Sequence, residues 1–165
     1  MAIIASDIKK RLSGGASNTD PLLSLGGIMS TTTEAGASIF DDVTSGEASA
    51  GDIEYRCIYA LNTHGSLTLT SAKVFISAQT PSGDTAVAIA LGGEGLNGTA
   101  EAIANENTAP SGESFSAPAT YAAGLSLGDL APGDRYPIWI RRTINAAAAG
   151  ASDGFTISIQ GDTAP

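Results

Sequence analysis

His64 and Cys57 are the only histidine and the only cysteine in the chain, so a two-histidine metal site is excluded and any Cys–His pairing must use His64. Close to Asn62 and next to Gly65, His64 reads as a solvated turn residue. Serines are plentiful, and Gly-x-Ser-x-Gly occurs twice, at Gly124 to Gly128 and Gly150 to Gly154, but neither opens a helical pattern as a nucleophile elbow must, which argues against a serine hydrolase. Gly92-Gly93-Glu94-Gly95 lacks the lysine that follows a phosphate loop and reads as a flexible connection. Asp41, Asp42, Glu47 and Asp52 are close enough in sequence to gather around calcium. They lack the Asp-x-Asp-x-Asp-Gly spacing of a calcium loop, and the expectation is a solvated acidic segment. A glycosidase needs two carboxylates facing across a cleft with aromatic sugar platforms. Four Tyr, four Phe and one Trp, mostly at positions that alternate toward a core, leave few for that role. Asn97-Gly98-Thr99 matches the glycosylation triplet, but nothing in the sequence suggests secretion. The residues therefore nominate no catalytic centre and no cofactor.

Composition narrows the partners. Seventeen acidic against eight basic side chains give a net charge of −9, which disfavours nucleic acid, because phosphate binding needs clustered Lys and Arg. The N-terminal segment has neither the basic start nor the apolar core of a signal peptide, and no run approaches about 18 apolar residues, so no membrane insertion is expected. A length of 165 residues suits one domain. The scarcity of aromatics and abundance of Ala, Gly, Ser and Thr predict a thin core of the kind that gains stability by assembly.

The element that must organise the rest is the stretch 53–61. Ile53, Tyr55, Cys57, Tyr59 and Leu61 alternate with Glu54 and Arg56, predicting a central strand with the odd positions facing the core. Asn62 to Gly65 is a turn, with a hairpin partner resuming at Leu67 and Leu69. Parity changes at Ser71-Ala72, where a bulge is expected. Val87, Ile89 and Leu91 alternate with Ala86, Ala88 and Ala90, whose small side suits close approach of another layer. A long acidic connection spans 92–113. Further strands are predicted over 119–127, 135–144 and 155–159, with a Pro132-Gly133 turn. Pro137 argues that the strand containing it is an edge or a strand start. Ala146 to Gly150 reads as a small-residue loop. The expected fold class is all-β, an immunoglobulin-like or jelly-roll β-sandwich over residues 51–165 with an extended N-terminal arm and loop over residues 1–50.

Several segments could serve contacts between subunits. Lys9, Lys10 and Arg11 form a basic cluster suited to an acidic neighbour, or to solvent, and lie in a stretch that either a short Ser6-capped helix or a strand would fit. Leu22, Leu23 and Leu25 belong to an apolar patch broken by glycines that needs cover from its own sandwich or from another subunit. Trp139 and Arg141 share a strand face where stacking on a partner is as reasonable as a solvated strand end, and Arg142 follows them.

Three groups of segments carry a likeness: Arg11-Leu12-Ser13-Gly14-Gly15 with Ser24-Leu25-Gly26-Gly27, Glu54-Tyr55-Arg56-Cys57-Ile58-Tyr59 with Asn62-Thr63, and Ile138-Trp139-Ile140-Arg141-Arg142-Thr143 with Gly161-Asp162-Thr163-Ala164. Together they resemble small structural proteins of tailed bacteriophages and prophages. The resemblance implies a non-enzymatic virion subunit repeated by symmetry at the tail tip or baseplate, or on the capsid surface as a decoration, cement or minor capsid protein. It implies synthesis in the host bacterial cytoplasm and partners that are copies of the chain and other virion proteins, and it carries no catalytic or ligand residue. The runner-up is a carbohydrate- or receptor-binding module meeting a host surface glycan, for which Tyr121, Tyr136 and Trp139 are the candidate platforms.

Overall fold

Ile53, Tyr55, Ile58 and Tyr59 carry the β-branched or aromatic side chains that suit a pleated backbone, and they lie in the longest strand, β2 (Asp52–Asn62). The structure, a computed structural model, describes residues 2–148 and 153–163. β1 (Ile8–Leu12), β6 (Arg135–Ile144) and β4 (Thr85–Leu91) join β2 in a sheet ordered β1-β2-β6-β4. β5 (Leu125–Leu130), β3 (Leu69–Ala78) and β7 (Thr156–Thr163) form a second sheet ordered β5-β3-β7, and every pairing is antiparallel. The sheets meet over Ile58, Val74, Ile76, Ile89, Ile138 and Ile140, all buried, so the chain is an all-β sandwich. Its strand order differs from that of an immunoglobulin constant domain, which runs ABED against CFG.

β2 is buried on both faces. Its even positions, Ile58 and Ala60, enter the core between the sheets, whereas Tyr55, Cys57 and Tyr59 point the other way. On that outer face they join Ala90, Ala100, Ile103 and Trp139 in a second apolar cluster, packed by Leu25, Met29 and Phe115 from two long loops. The Tyr59 hydroxyl ties both loops down, donating to the Gly27 carbonyl at 2.6 Å and accepting from the Ala100 N–H at 2.8 Å. The loops themselves touch at Gly26, where a Cβ would come within 1.7 Å of the Glu101 carbonyl oxygen, so only glycine fits. The odd face of β2 is thus a core, but it is the outer one; the even face, with Glu54 and Arg56 on it, makes the core between the sheets. Ala90 lies under the outer layer, as its small size suggested.

Residues 2–50 do not separate from the sandwich as an arm. Between the two alternatives for the basic segment the backbone takes the strand: after a 3-10 turn at Ala5–Asp7, β1 pairs with β2 from Ile8↔Asn62 to Leu12↔Ile58. Leu12 is wholly buried in the core between the sheets. Ser13, Asn18 and Ser30 are buried with their side chains bonded to the carbonyls of Cys57, Ser13 and Asn18. The reason is the edge of β2. Beyond the end of β1 its N–H groups still need acceptors, and the carbonyls of Ser24 and Glu106 take Cys57 N–H and Tyr55 N–H at 2.8 and 2.7 Å. α1 (Ser45–Ala50) adds a short helix where a loop was expected, closed at its start by reciprocal bonds between Thr44 and Glu47.

Other expectations fall either way. Register shifts around Ala72, with Ser71 at φ 52°, bear out the bulge. The Pro132-Gly133 turn is present, with Asp134 N–H bonded to Ala131 and Gly133 at φ 85°. The hairpin after β2 is not: β3 begins at Leu69 in the opposite sheet, paired with β5 and β7. The strand predicted over 119–127 starts only at Leu125, and Tyr121 belongs to a turn. Pro137 lies in a central strand. Its carbonyl accepts Gly92 N–H on the β4 side, and its missing N–H would point to that side as well, past the Leu91↔Ile138 pair where β4 ends. No ladder bond to β2 is lost. Of the loop predicted at Ala146 to Gly150, Ala149 and Gly150 lie outside the described residues.

Candidate functional site

The nine residues nominated for contact between subunits meet four fates. The basic cluster is used within the chain: Lys9 pairs with Glu34 at 2.9 Å, Lys10 Nζ donates to the Ile157 carbonyl at 2.7 Å, and the Arg11 guanidinium donates to the Thr32 carbonyl. Burial lowers Lys10, partly countered by Glu34. The bonds to Glu34 and Thr32 hold residues 30–35 along the free side of β1, where Ala35 N–H reaches Lys10 and Leu12 N–H reaches Thr33.

Trp139 is 0% exposed in the outer cluster, and so is not a contact residue. Arg141 lies 5.2 Å above the ring of Phe115, which itself packs against Tyr55 at 5.5 Å. Leu25 packs on the same cluster. Trp139 and Tyr55 are buried and Leu25, Phe115 and Arg141 half-buried against them, positioned by the covering loops, and the alternation in β6 that separates Trp139 from Ile138 sorts residues between two cores rather than between core and solvent. Only Leu22 and Leu23, at 41% and 58% exposed, stay available. They sit on a 3-10 turn, Pro21–Leu23, fixed by Pro21 and by the Asp20 carboxylate accepting Leu22 N–H. Ile28, further along the same covering loop, is 59% exposed.

Arg142 belongs to a cluster that alternation alone did not reveal. It stands directly across the ladder from Glu54, and its Nε donates to that carboxylate. Arg56, one position along the same face and fully buried, donates to Glu106, and both guanidiniums lie within 4 Å of Asp41. Phe40 is shared between them, its centroid 4.7 Å from Arg142 and 5.4 Å from Arg56, with Phe155 at 6.2 Å. Glu54 is 0% exposed, and its Oε1 has no hydrogen-bond partner among the described residues. Burial pushes its carboxyl above the ordinary range, Arg142 opposing. Two carboxylate trios meet at this residue, Asp41–Glu54–Glu106 and Glu47–Asp52–Glu54, each with one oxygen per residue within 4.8 Å of the others. Asp41, Glu47 and Asp52 of the acidic segment do converge, around a residue not counted among them. Beside the cluster opens a cleft of about 670 Å³ lined by Ile39, Phe40, Val43, Arg142 and Phe155.

His64 serves its turn, its Nδ1 accepting the N–H groups of Ser66 and Leu67 at 3.2 and 3.0 Å. Tyr121 donates to the Ser71 carbonyl and Lys73 lies over its ring, while Tyr136 packs beside the core between the sheets. The Cys57 thiol is pushed far up by burial. The arrangement defines a sandwich with one loop-covered sheet, a buried charge cluster at one end and a small apolar projection. Comparison with protein-family models, curated proteins and solved structures gives no match to this chain.

Proposed function

We propose that this chain is a non-enzymatic structural subunit of a tailed-phage virion, made in the host bacterial cytoplasm and repeated by symmetry at the tail tip or baseplate, or on the capsid surface. The observation that supports it most is the turn at Pro21–Leu23, where two leucines project from a segment held by a proline and an aspartate cap. A preset apolar projection costs little ordering on association, which suits a subunit that docks on copies of itself or on another virion protein. The resemblance of the three sequence segments to phage structural proteins points the same way. The glycan-binding reading is weakened by the complete burial of Trp139, which removes one of its three platforms.

The test is light scattering of the purified protein at several concentrations, with immunogold labelling of particles from the phage or prophage that encodes it. A trimer labelling the head favours capsid decoration, and label confined to the tail extremity favours the baseplate. Particles without label remove the virion reading.

A further inference from the structure

The free edge of β7 is regular and walled. Ile76, opposite Ile157 in the ladder between β3 and β7, gives its N–H to the Pro118 carbonyl at 2.8 Å and not to β7. Ile157, and Ile159 opposite Val74, are therefore in non-bonded pairs of that antiparallel ladder, and they turn their own N–H and C=O groups outward, as does Gly161 two residues on. Among the described residues no backbone group meets them there, and the Ile157 carbonyl takes its bond from Lys10 Nζ. The extra residues of this ladder lie on β3, so β7 itself stays regular, whereas β5, the other edge of the sheet, is broken by register shifts around Gly128, at φ 76°. Two cavities of about 290 and 390 Å³ lie end to end along β7 from Phe155 to Gly161, sharing Lys10, Thr156 and Ile157. Ile3 and Ile8 wall one of them, and Ala35 and Ala37 the other.

We infer that this groove takes up an extended segment of a partner protein as an added strand beside β7, with apolar side chains at alternate positions and a carboxylate at Lys10. The outward backbone groups supply the ladder, and the period of two in a strand sends every second side chain toward the cavities. The charge of the partner follows from the lining. Among the described residues around the two cavities Lys10 is the only charged one, on a chain whose net charge is −9. Burial disfavours the charge on Lys10, and a carboxylate brought beside it offsets that cost. Lys10 does not block the ladder, because the Ile157 carbonyl has a second lone pair. Walls of β1 and residues 35–37 on the side of the four-stranded sheet suit one chain rather than the edge of a second sandwich, which sets the occupant apart from another copy joined edge to edge. The groove is separate from the Pro21–Leu23 turn and does not depend on the virion reading.

The test is titration of the full chain, followed through its amide resonances, with a capped peptide of about nine residues, long enough to span the edge. The peptide alternates valine with threonine and carries glutamate in place of one central valine. The amides of Ile157, Ile159 and Gly161 should shift and gain protection from exchange, and a peptide with lysine in place of the glutamate should bind about tenfold more weakly or worse. Lys10→Met should erase the difference between the two peptides, and Lys10→Glu should reverse it. Backbone N-methylation of every second peptide residue should abolish binding in one phase and spare it in the other, a readout that needs no protein variant. The inference is overturned if these amides do not respond at about 1 mM peptide, the weak end of specific binding. Equal affinity for the glutamate and lysine peptides, or tolerance of both methylation phases, overturns it as well. Protection of the same amides that grows with protein concentration in the absence of peptide would assign the edge to a second copy and remove the partner segment.

Discussion

Trp139 and Glu54 occupy opposite faces of the same sheet, and both are wholly enclosed, so each makes a prediction at the scale of one side chain. The Trp139 indole has no hydrogen-bond partner among the described residues, and its contribution is packing. Trp139→Ala should therefore cost about 3–5 kcal/mol in denaturant unfolding of the isolated protein; a loss below 1 kcal/mol would return the indole to the surface. For Glu54 the sign follows from burial. Its carboxyl lies above the ordinary 4.5, so the folded state holds the proton more tightly than the unfolded chain. The stability this group contributes is complete below that ordinary value and is lost as pH rises through the folded one. Wild type should lose stability relative to Glu54→Gln as pH rises above the ordinary 4.5. If wild type instead gains on the variant as pH rises, the pairing with Arg142 outweighs burial.

At the scale of elements, β1 tests how the first segment is integrated. Its five residues complete the edge of β2 and bury Leu12, and residues 30–35 are then bonded along its other side. Deleting residues 2–12 should lower the thermal midpoint sharply and broaden the transition, because the deletion uncovers both β2 and the core between the sheets; an unchanged melting curve would restore an independent arm. The strands were legible because alternation is local: 53–61, 135–144 and 155–159 announce themselves. What alternation does not carry is which face meets what. In β2 the polar residues Glu54 and Arg56 read as a solvent face, yet Arg142, Phe40 and Glu106, from distant parts of the chain, enclose them. Conversely, the glycine-broken loops that cover Tyr55, Cys57 and Tyr59 have no periodicity to declare that role. One local signal was readable: Thr44-Ser45-Gly46-Glu47 has the spacing of a capping box and heads α1. The carboxylate cluster was half legible for the same reason, its three members from the acidic segment being neighbours in sequence and Glu54 reaching them only through the path of β2.

For the whole molecule, the sheet edges decide how copies can meet. The four-stranded sheet is closed on both sides. Residues 30–35 line β1, and β4 is lined by Ser116, bonded to Ile89 in both directions, and by the Gln79 amide, which gives and takes one bond each with the Val87 backbone. Strand-to-strand joining through that sheet is thereby blocked, which is how sandwiches avoid indiscriminate aggregation. Association through this sheet then has to use side chains on the covering loops, and there Leu22 and Leu23 project while Lys9, Lys10 and Arg11 are already bonded within the chain. A Leu22→Ser, Leu23→Ser double variant removes no buried contact of the isolated subunit, so its unfolding free energy should stay within about 0.5 kcal/mol of wild type per site. Its self-association by light scattering, and its incorporation into particles, should nevertheless fall at least tenfold. Equal incorporation by the double variant would move the contact off this turn, to the open edges of β5 or β7. Loss of stability and incorporation together would instead make the two leucines part of the fold rather than its point of attachment.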